Sequence, residues 1–199
     1  MERIIPKEEI DELTKIKGEV RGMALKNHED FIVKEKGREG LLELEKAMSE
    51  LGFPVRHQKI EPWDFYPVYL EVIELLVIKK LFNFEDRKFE EIGVFGSKVS
   101  FIVKMFLKYF GSIGLMADRA PKIWEKYYTI GDLKIKGLSE KERCVTVAIE
   151  DFCLHPIHCL HLKGYFSNMV RTVVGKETTC QETKCVHKGD SFHEFLLKW

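Results

Sequence analysis

All five cysteines of this sequence, and five of its seven histidines, lie beyond Arg143. Within that stretch Cys159 is followed by Glu182, by Cys185 three residues later and by His193 eight residues after that. Thiolate, carboxylate and imidazole are the side chains that hold zinc, which takes four of them in a tetrahedron. Two thiolates, one carboxylate and a neutral imidazole would leave one net negative charge, and such a closed set implies a structural role more than a catalytic one. Residues three apart on a regular strand point to opposite faces, so Glu182 and Cys185 can share an ion only where the chain bends or bulges. The same residues also suit buried thiols beside a surface carboxylate.

A short echo, ETTC at 177–180 and ETKC at 182–185, makes the choice of ligand ambiguous and leaves Cys180 as a substitute for Cys159. His155, His158 and His161 form another grouping, read as a polar helix start, with His155 or His158 as the alternative substitute for a ligand. His28 and His57 stand isolated. No Gly-rich phosphate loop, nucleophile-elbow serine or HExxH run is present, and the Gly37/Gly40 and Gly93/Gly96 pairs are spaced as helix joints.

The elements that must position these residues follow from periodicity. Ile10, Leu13 and Ile16 mark a short amphipathic helix over 6–17, with Gly18 and Gly22 loosening the chain after it. A helix opening at Asn27 or His28, a joint at Gly37 and a second helix through Leu51 come next, stopped by Gly52 and Pro54. An aromatic segment, 62–67, leads into a central helix over 68–82 that is apolar on most faces. Further helices are expected from Phe89, from an N-cap at Ser97 through Phe101, Val103, Met105, Phe106 and Tyr109 to a stop at Gly111 and Gly114, and over 120–128. The period then changes to two: strands at 131–136 and 143–150, a helix over 157–175, and a hairpin of 178–187 with 192–199. The result is an α+β fold, an N-terminal helical layer followed by a β-β-α-β-β unit with a four-stranded antiparallel sheet. One domain spans 1–199, mainly helical to residue 130.

The order Cys159, Gly164, Tyr165, Phe166, then Gly175, Glu182, Cys185, Gly189, Asp190, His193 and Phe195 resembles the vinyl-4-reductase domain. That family ends in C-x4-G-F, E-x2-C, G-D and C-x-F. This chain departs from it at His193, where the family has cysteine, and at Tyr165 before Phe166. The resemblance covers about the final quarter of the chain, and it selects Cys185 over Cys180, because only Cys185 has Gly189 four positions on and a ligand eight on. It implies one structural zinc per chain on Cys159, Glu182, Cys185 and His193. It also implies kinship with the fold of haem-based nitric-oxide sensors and of small vesicle-tethering subunits, and binding of a small apolar or aromatic molecule more than catalysis. The ligand would lie between helices and sheet, where Trp63, Phe65, Tyr66, Phe101, Phe106, Tyr109 and Trp124 supply aromatic surface. A Tyr-x-Ser-x-Arg run for haem propionates is absent.

Charge adds exclusions. Lys plus Arg and Asp plus Glu each number 32, so no global field favours nucleic acid. The N-terminus lacks a signal-peptide pattern, and the longest apolar run, Leu75 to Ile78, is far too short to enter a bilayer. A cytoplasmic sensor or carrier, dimeric through its N-terminal helices, is the expected role. A metal-dependent enzyme of the 4-vinyl reductase type, with Glu182 displaced by water, and a helix-mediated interaction module are the alternatives.

Overall fold

The computed structural model describes residues 4–99 and 112–199. Helix α1 (Lys7–Leu13) begins after Pro6, carries Glu8 and Glu9 in its first turn, where the helix dipole favours acids, and buries Ile10 and Leu13. Strand β1 (Glu19–Arg21) leads into α2 (Met23–Glu50), and β2 (Phe65–Pro67) leads into α3 (Val68–Leu81). The two strands pair antiparallel, Val20 opposite Tyr66. Each is three residues long, too short for an alternating pattern, so the sequence reading found loosened chain at the first and an aromatic entry to a helix at the second.

The joint expected at Gly37 is real. Gly37 sits at φ 72° and ψ −174° inside α2, a conformation open to glycine, and it divides the helix into two segments. Helix α3 is buried on all sides: Val68, Val72, Ile73, Leu75, Val77 and Ile78 are fully enclosed, and so are Glu71 and Glu74 on the same helix.

Helix α4 (Asp86–Val99) starts three residues before Phe89 and continues through Ser97. Ser97 is therefore no N-cap. Its hydroxyl donates to the Val94 carbonyl at 2.8 Å and accepts from Asn168 Nδ2 at 2.8 Å, which ties α4 to the last helix. The remainder of the helix expected from Ser97 falls outside the described residues, as do Phe101, Phe106 and Tyr109. Helix α5 (Ile113–Tyr127) opens seven residues before Ala120, with Ser112 Oγ accepting from the Leu115 N–H at 3.3 Å. Gly114 thus lies in a first turn and stops nothing, and Pro121, a residue suited to a helix start, lies in the helix interior.

Strands β3 (Asp132–Ser139) and β4 (Cys144–Glu150), helix α6 (Pro156–Val174), and strands β5 (Thr179–Lys184) and β6 (His193–Lys198) complete the expected β-β-α-β-β unit. The sheet is antiparallel in the order β3-β4-β6-β5. A bulge between Ile135 and Gly137 lets β3 run to Ser139, three residues past the strand end expected at 136. Val145, Val147 and Ile149 share the buried face with Leu133, Phe195 and Leu197. Helix α6 lies on that face, α4 packs along α6, and α5 covers β3.

Candidate functional site

Cys159, Glu182, Cys185 and His193 come together. Cys159 projects from the first turn of α6, Glu182 from β5, Cys185 from the residue that opens a 3-10 turn at Val186–Lys188, and His193 from the start of β6. Their donor atoms lie within 4.8 Å of one another. Cys159 Sγ is 3.9 Å from Cys185 Sγ and 3.7 Å from His193 Nδ1, and His193 Nδ1 is 3.2 Å from Glu182 Oε1. Zinc bonds of about 2.3 Å to sulfur and about 2.0–2.1 Å to nitrogen or oxygen give tetrahedral edges of about 3.8, 3.6 and 3.4 Å for the same pairs. The bend that the spacing demanded is present: the β5–β6 register shifts between Glu182 and Lys184, and the strand ends at Lys184. Cys180, half-buried on β5, is not among the four.

The surrounding groups hold this arrangement. Asp190 Oδ2 accepts from the Cys185 N–H at 2.8 Å, and Lys188 Nζ donates to Glu182 Oε2 at 3.3 Å. Burial opposes ionisation of Glu182, but hydrogen bonds from Cys185, Cys159, His193 and Lys188 outweigh it and hold the carboxyl below its usual range. Burial, followed by the Glu182 and Cys185 charges, pushes the Cys159 thiol far up, and burial likewise raises Cys185. A divalent cation among the four would reverse that balance, because each thiolate would then face positive charge.

Four of the remaining histidines, His28, His57, His158 and His161, belong to buried groupings with Glu71 and Glu74 that the sequence reading missed. His155 is the N-cap of α6, its Nδ1 accepting from the Ile157 N–H at 3.1 Å, as a polar helix start would require. His158 and His161 instead turn inward and meet Glu71 of α3, the three donor atoms lying within 4.8 Å of one another. His158 Nε2 is 3.3 Å from Glu71 Oε2, and Tyr128 Oη donates to the same carboxylate at 3.1 and 3.2 Å. Nor are His28 and His57 isolated. Both are fully buried, and Glu74 links them: its Oε1 is 3.1 Å from His57 Nε2 and 3.3 Å from His28 Nδ1, the latter out of line for a hydrogen bond. Burial raises the carboxyl of Glu71, yet the charge of His158 and its hydrogen bond outweigh burial and hold the group well below its normal value. Burial and then His158 push His161 down to about 3, which keeps this imidazole neutral.

Above this assembly lies a cavity of about 110 Å³ between α5, α6 and the sheet. It is close in scale to the roughly 150 Å³ that accommodates a benzene ring. Met116, Ala117, Ile123, Trp124, Val147, Leu162, Phe166 and Val170 make its walls apolar, and Glu71 and His161 form a polar corner. Trp124 is the one expected aromatic that lines it among the described residues. Trp63 is half-exposed, Phe65 is covered by the Arg21 guanidinium at 3.7 Å, and Tyr66 accepts from the Glu61 N–H at 3.0 Å, so these three serve the outer β1–β2 corner.

No family model matches the sequence. Nor does any curated protein sequence. Solved structures do match. An H-NOX protein from S. oneidensis in the Fe(II) ligation state aligns with a TM-score of 0.66 at 11% identity, over 89% of this chain and 95% of that one. The S. oneidensis H-NOX protein in the Fe(II)NO ligation state gives 0.63 at 14% identity, over 89% and 98%. Another H-NOX neighbour, Tt H-NOX, gives 0.63 at 13% identity, over 90% and 94%. The chain has the H-NOX fold.

Haem does not fit the described residues. A cavity of about 110 Å³ is well below the roughly 300–1,000 Å³ of sites for drug-sized ligands, and a porphyrin is no smaller than those. The one cavity-lining histidine, His161, faces Glu71 and His158. No helix among the described residues is long and apolar enough to cross a membrane.

Proposed function

We propose that this chain is a small-molecule-binding domain, a sensor or carrier of the vinyl-4-reductase type, in which one structural zinc fastens the β5–β6 hairpin to helix α6. The observation that carries this reading is the double use of α6. Its first turn supplies Cys159 to the four-donor cluster, and its next three turns supply Leu162, Phe166 and Val170 to the cavity wall. Zinc held by Cys159, Glu182, Cys185 and His193 fixes the position of that wall relative to the sheet, so metal binding and pocket shape are coupled. The donor set is closed, with four protein ligands and a supporting Asp190, which favours a structural over a catalytic ion.

Support for ligand binding comes from the apolar cavity and from the fold neighbours, two of which were captured in Fe(II) and Fe(II)NO ligation states. The ligand of this chain is a smaller molecule, of the size of one aromatic ring. Metal analysis of the purified protein beside a Cys185→Ser variant tests the first half: about one zinc per chain, lost in the variant together with thermal stability, is the expected result. A variant that loses the metal but keeps wild-type stability would overturn the structural role. Thermal-shift titration with p-cresol, indole and toluene tests the second half, and stabilisation by none of them would count against the cavity as a binding site.

A further inference from the structure

We propose that Glu71, His158 and His161 form a second metal centre at the floor of the apolar cavity, open on its cavity side to a small anionic donor. The proposal does not depend on zinc occupying the cysteine site.

His158 and His161 stand three residues apart on α6 and therefore on one face of it, and Glu71 approaches from α3. Two imidazoles and one carboxylate, with their donor atoms within 4.8 Å of one another, are a ligand set used by divalent zinc and iron when a coordination position is left free. All three side chains are buried. A hydrogen-bonded trio of Tyr128, Glu71 and His158 accounts for part of the arrangement. It leaves Nδ1 of His161 without a partner in the protein interior, where polar groups are normally satisfied. Edge-on ring contacts with His158 and His28, at 5.5 and 5.9 Å between centroids, hold His161 in place but do not satisfy that nitrogen. A divalent ion satisfies it.

The location decides what the centre would do. Glu71 and His161 line the cavity, whereas His158 lies behind them, so the protein ligands occupy one side of the ion and the other side opens into apolar space. One carboxylate neutralises half the charge of a divalent ion. In surroundings of this polarity the remaining charge favours an anionic donor on the open side, a phenolate, thiolate or carboxylate carried on a small apolar body. Tyr128, through its hydroxyl on Glu71, is a positioning residue for the carboxylate.

Cobalt(II) distinguishes the two sites in one full-length protein. Thiolate ligation gives sulfur-to-cobalt charge-transfer absorption, and a site of two imidazoles and a carboxylate gives only ligand-field bands. Metal-stripped wild type is expected to take up two cobalt ions per chain. His161→Ala and Glu71→Gln should each lose one ion and keep the charge-transfer band, whereas Cys185→Ser should lose that band and keep the other ion. Azide should shift the ligand-field bands of wild type and of Cys185→Ser by entering the open position. Glu71→Gln preserves side-chain volume, and circular dichroism confirms that each variant is folded. Wild type that binds no metal outside the thiolate site, or an ion that survives both Glu71→Gln and His161→Ala, would overturn the proposal. Ligand-field bands indifferent to azide would overturn the open position.

Discussion

Gly164 of α6 rests on the carbonyl oxygen of Glu90 in α4 so closely that a Cβ placed on it would lie 1.9 Å from that oxygen. The contact is reciprocal, since a Cβ on Gly93 of α4 would lie 2.0 Å from the carbonyl oxygen of His161. Two backbones in direct contact fix the height and rotation of α6, and therefore the aim of Cys159, His158 and His161. Gly164→Ala and Gly93→Ala must push the helices apart and are expected to cost about 1–3 kcal/mol or more in urea denaturation. Gly137→Ala is the control, because nothing lies within 4 Å of its Cβ position, and it should change stability far less. Equal effects from all three would show that the helix contact is not what makes these glycines matter.

The carboxylate of Asp190 holds the turn that presents Cys185, through the 2.8 Å bond from the Cys185 N–H. Removing such a support commonly lowers metal affinity about 10–100-fold while leaving the ligands in place. Asp190→Ala should therefore weaken zinc retention in a chelator competition by that order, with bound metal still reaching one equivalent at saturating zinc. Unchanged affinity would assign Asp190 to the turn alone.

The parts of this architecture that were legible in the sequence are those that depend on local chemistry. Gly37 announced a joint, the alternation of Val145, Val147 and Ile149 announced a strand, and ligand types announced a cluster, although the choice of Cys159, Glu182, Cys185 and His193 over a set with Cys180 came from the family resemblance. The reading failed where the decisive fact was tertiary. Hydrophobic periodicity assigns a glutamate to the surface, so nothing local marks Glu71 and Glu74 as buried; the histidines that face them come from α2, the 57–59 turn and α6. Trp63 and Phe65 have the composition of a pocket wall, yet the two-stranded corner holds them away from the cavity.

Stability should fall as pH rises from about 6.5 through about 9, and His57 is the cause. Burial alone lowers its basicity. The charge of Glu74 and the hydrogen bonds that the His57 ring donates to Glu74 and Glu45 outweigh burial, with a smaller contribution from Glu29, and lift the imidazole from 6.5 to about 9. Lys26, whose ammonium donates to the His57 carbonyl at 3.3 Å, is the cation on this side. A group that binds its proton more tightly in the folded state adds stability that is complete below the unfolded value near 6.5 and is lost as pH passes the folded value near 9. The displacement corresponds to on the order of 3 kcal/mol. Glu74 works in the opposite sense: burial opposes its charge, His57 and His28 outweigh burial, and its contribution is present above the ordinary carboxyl range and is lost in acid. Urea midpoints of wild type at pH 6 and pH 9.5 should differ, and His57→Gln should flatten that difference. A variant that keeps the full wild-type slope would place the alkaline sensitivity elsewhere.

Filling the cavity separates binding from folding. Ala117 of α5 is nearly buried and its side chain meets the cavity. A leucine there extends into empty apolar space, where each added carbon gains contacts instead of displacing packed neighbours. Stability should therefore stay level or rise, in contrast to the losses expected at Gly93 and Gly164, where the added atom meets backbone. The same carbons occupy the volume that a one-ring ligand needs, so thermal stabilisation by p-cresol or indole, if present in wild type, should disappear. Zinc content should not change, because none of the four donors lines the cavity and the substitution leaves the β5–β6 hairpin untouched. Ligand-induced stabilisation that persists undiminished in Ala117→Leu would mean that the aromatic probes bind outside this cavity, and the wall formed by α6 would then have to be explained by the metal cluster alone.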